Sequence, residues 1–183
     1  MYRSFCRTSF DSMNSLILLA LTLFASTGST IKVSSYFKFD EVEHFQTDYK
    51  KYEQEGESIY FKSAKNQQEE YLLNVLLSQK ASFEDTVLMA KLEELGFTKS
   101  TLSSDKVDQL KKILKPNKSG IDEVTFCEPI YNDVLVFKSK NKIVGFAKIC
   151  FGCEQMMIIG HNMIESTSSP TEKFSRLKDI LKQ

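Results

Sequence analysis

NDVLVFKSKNKIVGFAKICF, residues 132–151, contains two apolar runs rich in Val, Ile and Phe on either side of the polar KSKNK. β-Branched and aromatic side chains fit a pleated surface, and a short polar break between two such runs predicts a β-hairpin. With the turn centred on Lys140 and Asn141, Val134 faces Ala147 and Tyr131 faces Cys150. QMMIIG, residues 155–160, follows closely enough to add a third antiparallel strand. Beyond it, SSPTEKFSRLKDILKQ (168–183) offers Ser169 as N-cap, Pro170 at the first helical position, and an apolar stripe of Phe174, Leu177, Ile180 and Leu181. Proline loses no helical hydrogen bond at that position, so the tail predicts a helix that covers one face of the meander.

Upstream of the hairpin the period changes from two to that of a helix. NQQEEYLLNVLLSQK (66–80) places Tyr71, Leu72, Val75 and Leu76 in a helical context, with Glu69 and Glu70 in the first turn where the helix dipole favours them. A second helix begins at Ser82, with Asp85 three residues later as in a capping box; Val87, Leu88, Lys91, Leu92 and Leu95 share a face, and Gly96 ends it. A third starts after Ser104, carries Val107, Leu110, Ile113 and Leu114, and stops at Pro116. Between Tyr36 and Phe61 aromatics and charges alternate without a dominant period; the reading there is a short strand over Tyr36–Phe39 and a helix over Asp40–Gln54. The expected architecture is α+β: a helical layer, a three-stranded antiparallel β-meander, and a C-terminal helix.

The N-terminus has a different texture. Arg3 and Arg7 precede the uncharged SLILLALTLFAS (15–26), and the small residues Ala25 to Ser29 follow. Basic, then apolar, then small is the order of a secretory signal peptide, and the apolar run is shorter than the ~20 residues of a membrane span. The expected organisation is a leader over residues 1–28 and one domain over 29–183, with Met13 as an alternative start and a retained N-terminal anchor helix as the alternative to cleavage. No transmembrane span remains once the leader is removed. The 183 residues carry 24 basic and 24 acidic side chains, well mixed, so no electrostatic footprint for nucleic acid is present.

Export bears on the cysteines. Without the leader, which takes Cys6 with it, Cys127, Cys150 and Cys153 remain, an odd number for an oxidising compartment. The hairpin register carries Cys127 to the neighbourhood of Cys153, unless Pro129 turns the chain first. Within Cys150–Cys153 the odd spacing points the two side chains of a straight strand to opposite faces, so they need a turn to meet, which Gly152 supplies by accepting a positive φ. A cross-strand disulfide from Cys127 to Cys153 or to Cys150 is therefore favoured over one closed inside the motif. Two chemical alternatives stand beside it. A thiol-redox site would use Cys127, Cys150 and Cys153, although redox CxxC motifs open helices and this one closes a strand. A zinc site would use Cys127, Cys150, Cys153 and His161 as a Cys₃His set.

Other constellations carry less. DEVEH groups Asp40, Glu41, Glu43 and His44, read as an exposed helix start with cation binding as the alternative. Asn117-Lys118-Ser119 is a glycosylation sequon. No nucleophile elbow, zinc-protease helix or phosphate-cradling loop is present, and two histidines leave little material for general-base chemistry. No catalytic residue is assigned.

FCEPIYNDVLVFKSKNKIVGFAKICFGCEQ (126–155), with FDEVEHF and LEELGF upstream, resembles a group of small exported bacterial proteins found chiefly in Bacteroidota. In that group a Cys-x-Pro segment leads into strand, polar turn and strand, ending in Cys-Phe-x-Cys; here these are Cys127, Pro129, Cys150, Phe151 and Cys153. The resemblance implies an envelope or secreted location in a bacterium and no activity; the expected location is periplasmic, envelope-associated or secreted, with an envelope protein as candidate partner. The expectation is an exported, non-catalytic binding or structural module stabilised by its cysteine cluster. The alternative is a zinc-binding or thiol-redox protein.

Overall fold

The computed structural model describes residues 36–53, 58–77, 82–115, 127–168 and 171–182. The leader, the Pro116 helix stop, the Asn117 sequon, and the Ser169 and Pro170 caps lie outside them. In chain order the elements are β1 (Glu41–Gln46), α1 (Gln67–Leu77), α2 (Thr86–Met89), β2 (Thr98–Thr101), α3 (Ser104–Ile113), β3 (Asp133–Ser139), β4 (Lys142–Cys150), β5 (Gln155–Gly160), β6 (Met163–Ser168) and α4 (Thr171–Leu181). The fold is α+β, built on one six-stranded sheet in the order β2-β1-β3-β4-β5-β6 with every neighbouring pair antiparallel.

The expected meander is present as β3-β4-β5, but it is the middle of a larger sheet. Lys140 and Asn141 both adopt positive φ (50° and 63°), as a two-residue hairpin turn of the hand that matches strand twist requires. Ser139 pairs with Lys142 and Lys138 with Ile143, after which a bulge in β4 shifts the register by one. Val134 therefore faces Lys148 rather than Ala147, and Asp133 faces Ile149. The added residue was not readable, because a bulge changes the count on one strand while leaving both apolar runs intact. At the far side Gly145 and Gly160 pair directly, and the ring of Phe37 lies over both: a Cβ at Gly145 would come within 2.6 Å of that ring.

Three expectations are corrected. The segment after Asp40 is a strand, not a helix: β1 lies between β2 and β3, and Tyr49–Tyr52 is a single 3₁₀ turn whose Asp48 side chain accepts from the Lys50 N–H. Pairing on both edges outweighs the weak local preference of a segment with Glu, His and Gln in it. Residues 36–39 form no strand; Phe37 and Phe39 instead stack with Phe137 at centroid distances of 5.1 and 4.9 Å. β2 and β6 were not foreseen, since TKST and MIESTS are polar edge strands with little apolar alternation to show them.

The helices fare better. α1 and α3 form as read, burying Leu72, Val75 and Leu76, and Val107 and Leu110. Ser82 and Asp85 make the capping box, but they open a 3₁₀ turn followed by the one-turn α2, and the chain then winds through turns to Gly96 at φ 86°. Leu92 and Leu95 are buried as expected, whereas Val87 is 66% exposed and Met89 takes the inward place. The tail helix α4 buries all four residues of its stripe.

Helices cover both faces of the sheet, with the C-terminal helix on one of them as expected. Leu135, Phe137, Ala147, Ile149, Met156 and Ile158 pack against α3 and α4; on the opposite face Val134, Val136, Phe146, Met157 and Ile159 pack against α1, Met89 and the turns that follow. Strands buried on both faces lose their alternation, which is why β3, β4 and β5 read as continuous apolar runs. β2 and β3 run in the same direction on either side of β1, so the connection through α3 crosses over that strand. This crossover sets α3 and α4 side by side on one face and leaves a groove at the end of the sheet.

Candidate functional site

The groove is assembled from three strands. On β1, His44 and Gln46 point to the α3/α4 face, and their cross-strand neighbours on β2 are Ser100 and Thr98. On β3, Asp133 sits opposite Gln46. Residues two apart share a face of a strand, so one pairing register gathers all five side chains. Phe151 and, from the last turn and end of α4, Lys178, Leu181 and Lys182 complete a cavity of about 430 Å³, a size that suits a small molecule.

Its floor is a buried hydrogen-bonded pair. His44 Nε2 lies 2.8 Å from Asp133 Oδ1, with the two residues 5% and 1% exposed, and Gln46 Nε2 donates to the same oxygen at 3.2 Å. Facing a carboxylate, Nε2 carries the hydrogen of this bond. Ser100 Oγ donates to the His44 carbonyl at 3.5 Å. The aspartate's charge is engaged by two donors and the Ser100 proton by the His44 carbonyl, while the walls add the Lys178 and Lys182 ammonium groups and the Thr98 hydroxyl as donors. Asp133→Ala leaves the buried His44 N–H without an acceptor, while the exposed Gln46 amide can turn to water; the expected loss is about 1–3 kcal/mol, measurable as a lower urea midpoint, and Asp133→Asn should lose less.

Sequence reading did not reach this pair. His44 was grouped with Asp40, Glu41 and Glu43 as an exposed helix start, yet on β1 successive residues face opposite ways. Glu43 points to the other face, where Lys99 and Lys138 bind it at 2.6 and 2.7 Å. Burial pushes its carboxyl up, but the two lysines outweigh that and hold it below the usual glutamate range. The Asp40 carboxylate accepts from the Lys140 N–H at 3.2 Å. The one available signal was Asp133 at the start of an otherwise apolar strand, and its partner is 89 residues away.

The cysteines lie at the end of β4. Cys127 and Cys153 are bridged, with Cα atoms 5.7 Å apart, and Cys150 is a buried free thiol. Of the two cross-strand pairings favoured from the sequence, the structure has the one to Cys153. Residues 151–154 form the turn between β4 and β5, and its positive φ falls at Glu154 (52°) rather than at Gly152. The turn lays Cys150 Sγ 3.4 Å from the Cys153 backbone N–H, and Gln155 Nε2 donates to the Cys127 carbonyl at 3.0 Å. His161 does not join them: it sits in the β5–β6 turn at the other end of β5, edge-on to Phe83 at 5.2 Å. Among the described residues no group of three His, Cys, Asp or Glu side chains is placed to hold a metal ion, and no helix is long and apolar enough to cross a membrane.

One further buried ionisable group was not singled out from the sequence. Lys148, 2% exposed on β4, donates through Nζ to the Asn74 carbonyl at 3.2 Å and stands 4.6 Å over the Tyr131 ring. Burial pushes its pKa down to about 7, with Asp85 opposing. Burial, with a smaller contribution from the neighbouring Cys150, raises Tyr131 to about 12.

No protein-family model matches the chain, and no curated protein or solved structure is similar to it.

Proposed function

We propose that the protein is an exported binding module whose groove beside α4 takes a small carboxylate-bearing ligand, with the Cys127–Cys153 bridge fastening the adjoining end of the sheet. The observation that carries this reading is the donor-rich cavity over the His44–Asp133 pair, walled by Lys178 and Lys182. An anion entering it meets the Lys178 ammonium, the Lys182 ammonium, which it would share with Asp179 at 3.2 Å, and the Thr98 hydroxyl, and a partly enclosed site strengthens each such contact relative to bulk water. The basic-apolar-small order of the first 29 residues supports export, as does the resemblance to exported bacterial proteins.

Acetate, succinate and a hexuronic acid, titrated separately while the His44 ring resonances are followed by NMR, test the ligand class. At least one should give a saturable shift that weakens about tenfold in Lys178→Ala/Lys182→Ala. No saturable shift with any of the three would overturn the reading. Export is tested by expressing the full chain in a bacterial host and determining the N-terminus of the protein in the envelope and medium fractions. A mature start near residue 29 is expected; retention of Met1 or Met13 refutes cleavage.

A further inference from the structure

We propose that Cys127, Cys150 and Cys153 form an internal thiol–disulfide exchange site, in which Cys150 displaces Cys127 from Cys153. Three cysteines lie at one end of the sheet with graded accessibility: Cys127 is exposed, Cys153 half-buried and Cys150 5% exposed. The nucleophile is already against its target residue, because the Cys153 N–H lies 3.4 Å from Cys150 Sγ. Exchange needs a thiolate able to reach a disulfide sulfur, and both reside on one four-residue turn. That turn has room to adjust: nothing lies within 4 Å of where a Gly152 side chain would begin.

The step balances without an external oxidant or reductant. The Cys150 thiol gives its proton to solvent, and the thiolate attacks Cys153 Sγ. A Cys150–Cys153 bond forms as the Cys127–Cys153 bond breaks, and Cys127 leaves as a thiolate that takes up a proton. The number of disulfides is unchanged. What changes is topology: the cross-link spanning 26 residues becomes a local one, and an exposed thiol appears on the segment before β3. The direction of attack follows from the contact: Cys150 Sγ touches Cys153, whose N–H lies 3.4 Å away, so Cys153 is the residue attacked and Cys127 the leaving group. The site is independent of the ligand groove, although Phe151 belongs to both, lining the groove and meeting the Phe174 ring at 6.2 Å from inside the exchanging turn.

The test maps thiols on the full chain under native conditions. The oxidised protein is held at neutral pH with a thiol-specific alkylating agent, digested without reduction, and read by mass spectrometry. The expected product is alkylated Cys127 together with a Cys150–Cys153 bridge, and Cys150→Ser should slow Cys127 labelling by at least about tenfold. Label confined to Cys150, label on Cys153, or an equal rate of Cys127 labelling in Cys150→Ser would each overturn the proposal. Cys127→Ser supplies a second reading that does not depend on rates, because it fixes the product state. It should air-oxidise to a Cys150–Cys153 bridge with an unchanged far-ultraviolet circular dichroism spectrum; two free thiols in that folded variant would refute the exchange.

Discussion

Lys148→Met is expected to stabilise the protein at and below pH 7, by roughly 1–4 kcal/mol. The lysine sits among Tyr131, Val134 and Met157, with its ammonium given a carbonyl and a ring face in place of a full hydration shell. Its pKa falls from 10.5 to about 7 through burial, and each unit of such a fall corresponds to ~1.4 kcal/mol between the two protonation states. Below about pH 7 the group is charged in both folded and unfolded chains, so the full cost of burying the charge is present. Between about 7 and 10.5 the unfolded chain binds more protons than the folded one, and stability rises with pH. Methionine has similar length and no charge, so the variant should lack this rise, and its advantage should shrink as the pH approaches 10.5. Urea unfolding of both proteins at pH values from about 6 to about 10 measures the effect. Parallel stability curves for the two proteins would show that Lys148 retains its charge in the fold at little cost.

The second large effect concerns the bridge. Cys127→Ser/Cys153→Ser, which leaves only Cys150 among the three, is expected to lower stability by about 3 kcal/mol. The cross-link closes a loop with a sequence separation of 26, and most of its contribution comes from the unfolded chain, whose freedom it restricts. In the folded state the same end of the sheet is also held by the Cys150–Gln155 pairing, by the Gln155 bond to the Cys127 carbonyl, and by the Tyr131 N–H donating to the Leu76 carbonyl at 2.8 Å. The variant should therefore fold with a lower urea midpoint and a somewhat larger m-value, because the freed unfolded chain exposes more surface. A loss under about 1 kcal/mol would mean that the unfolded chain is already compact around this loop.

The placement of Lys148 and of the His44–Asp133 pair has a common origin. A side chain on a central strand of a sheet covered on both faces has little access to solvent, so a polar residue there needs a partner within the fold. Lys148 finds Asn74 on α1 and Tyr131, His44 finds Asp133 on the neighbouring strand, and Glu43 finds Lys99 and Lys138. None of the described buried side-chain nitrogens and oxygens lacks a partner. The His44 pair is the one of the three that opens onto a cavity.

The sequence by itself determined the elements whose signal is local. The β3–β4 hairpin follows from two apolar runs around Lys140-Asn141, α3 and α4 from their apolar stripes, and the turn at Ser82 from its reciprocal cap with Asp85; each depends on residues a few positions apart. The proximity of Cys127 to Cys153 was also legible, because hairpin pairing carries local register outward. Tertiary structure alone decided the rest. β1 became a strand because β2 and β3 flank it, and the polar β2 and β6 exist because the sheet offered them an edge. The bulge in β4 moved Lys148 opposite Val134, and the crossover through α3 placed helices on both faces. The candidate site belongs wholly to this second class: His44, Ser100, Asp133 and Lys178 come from four elements, and no periodicity in one segment encodes which residue of another it will face. Local sequence fixes what a segment can form at the cost of a few residues' entropy, whereas partners of distant segments are chosen only when the whole core is buried together.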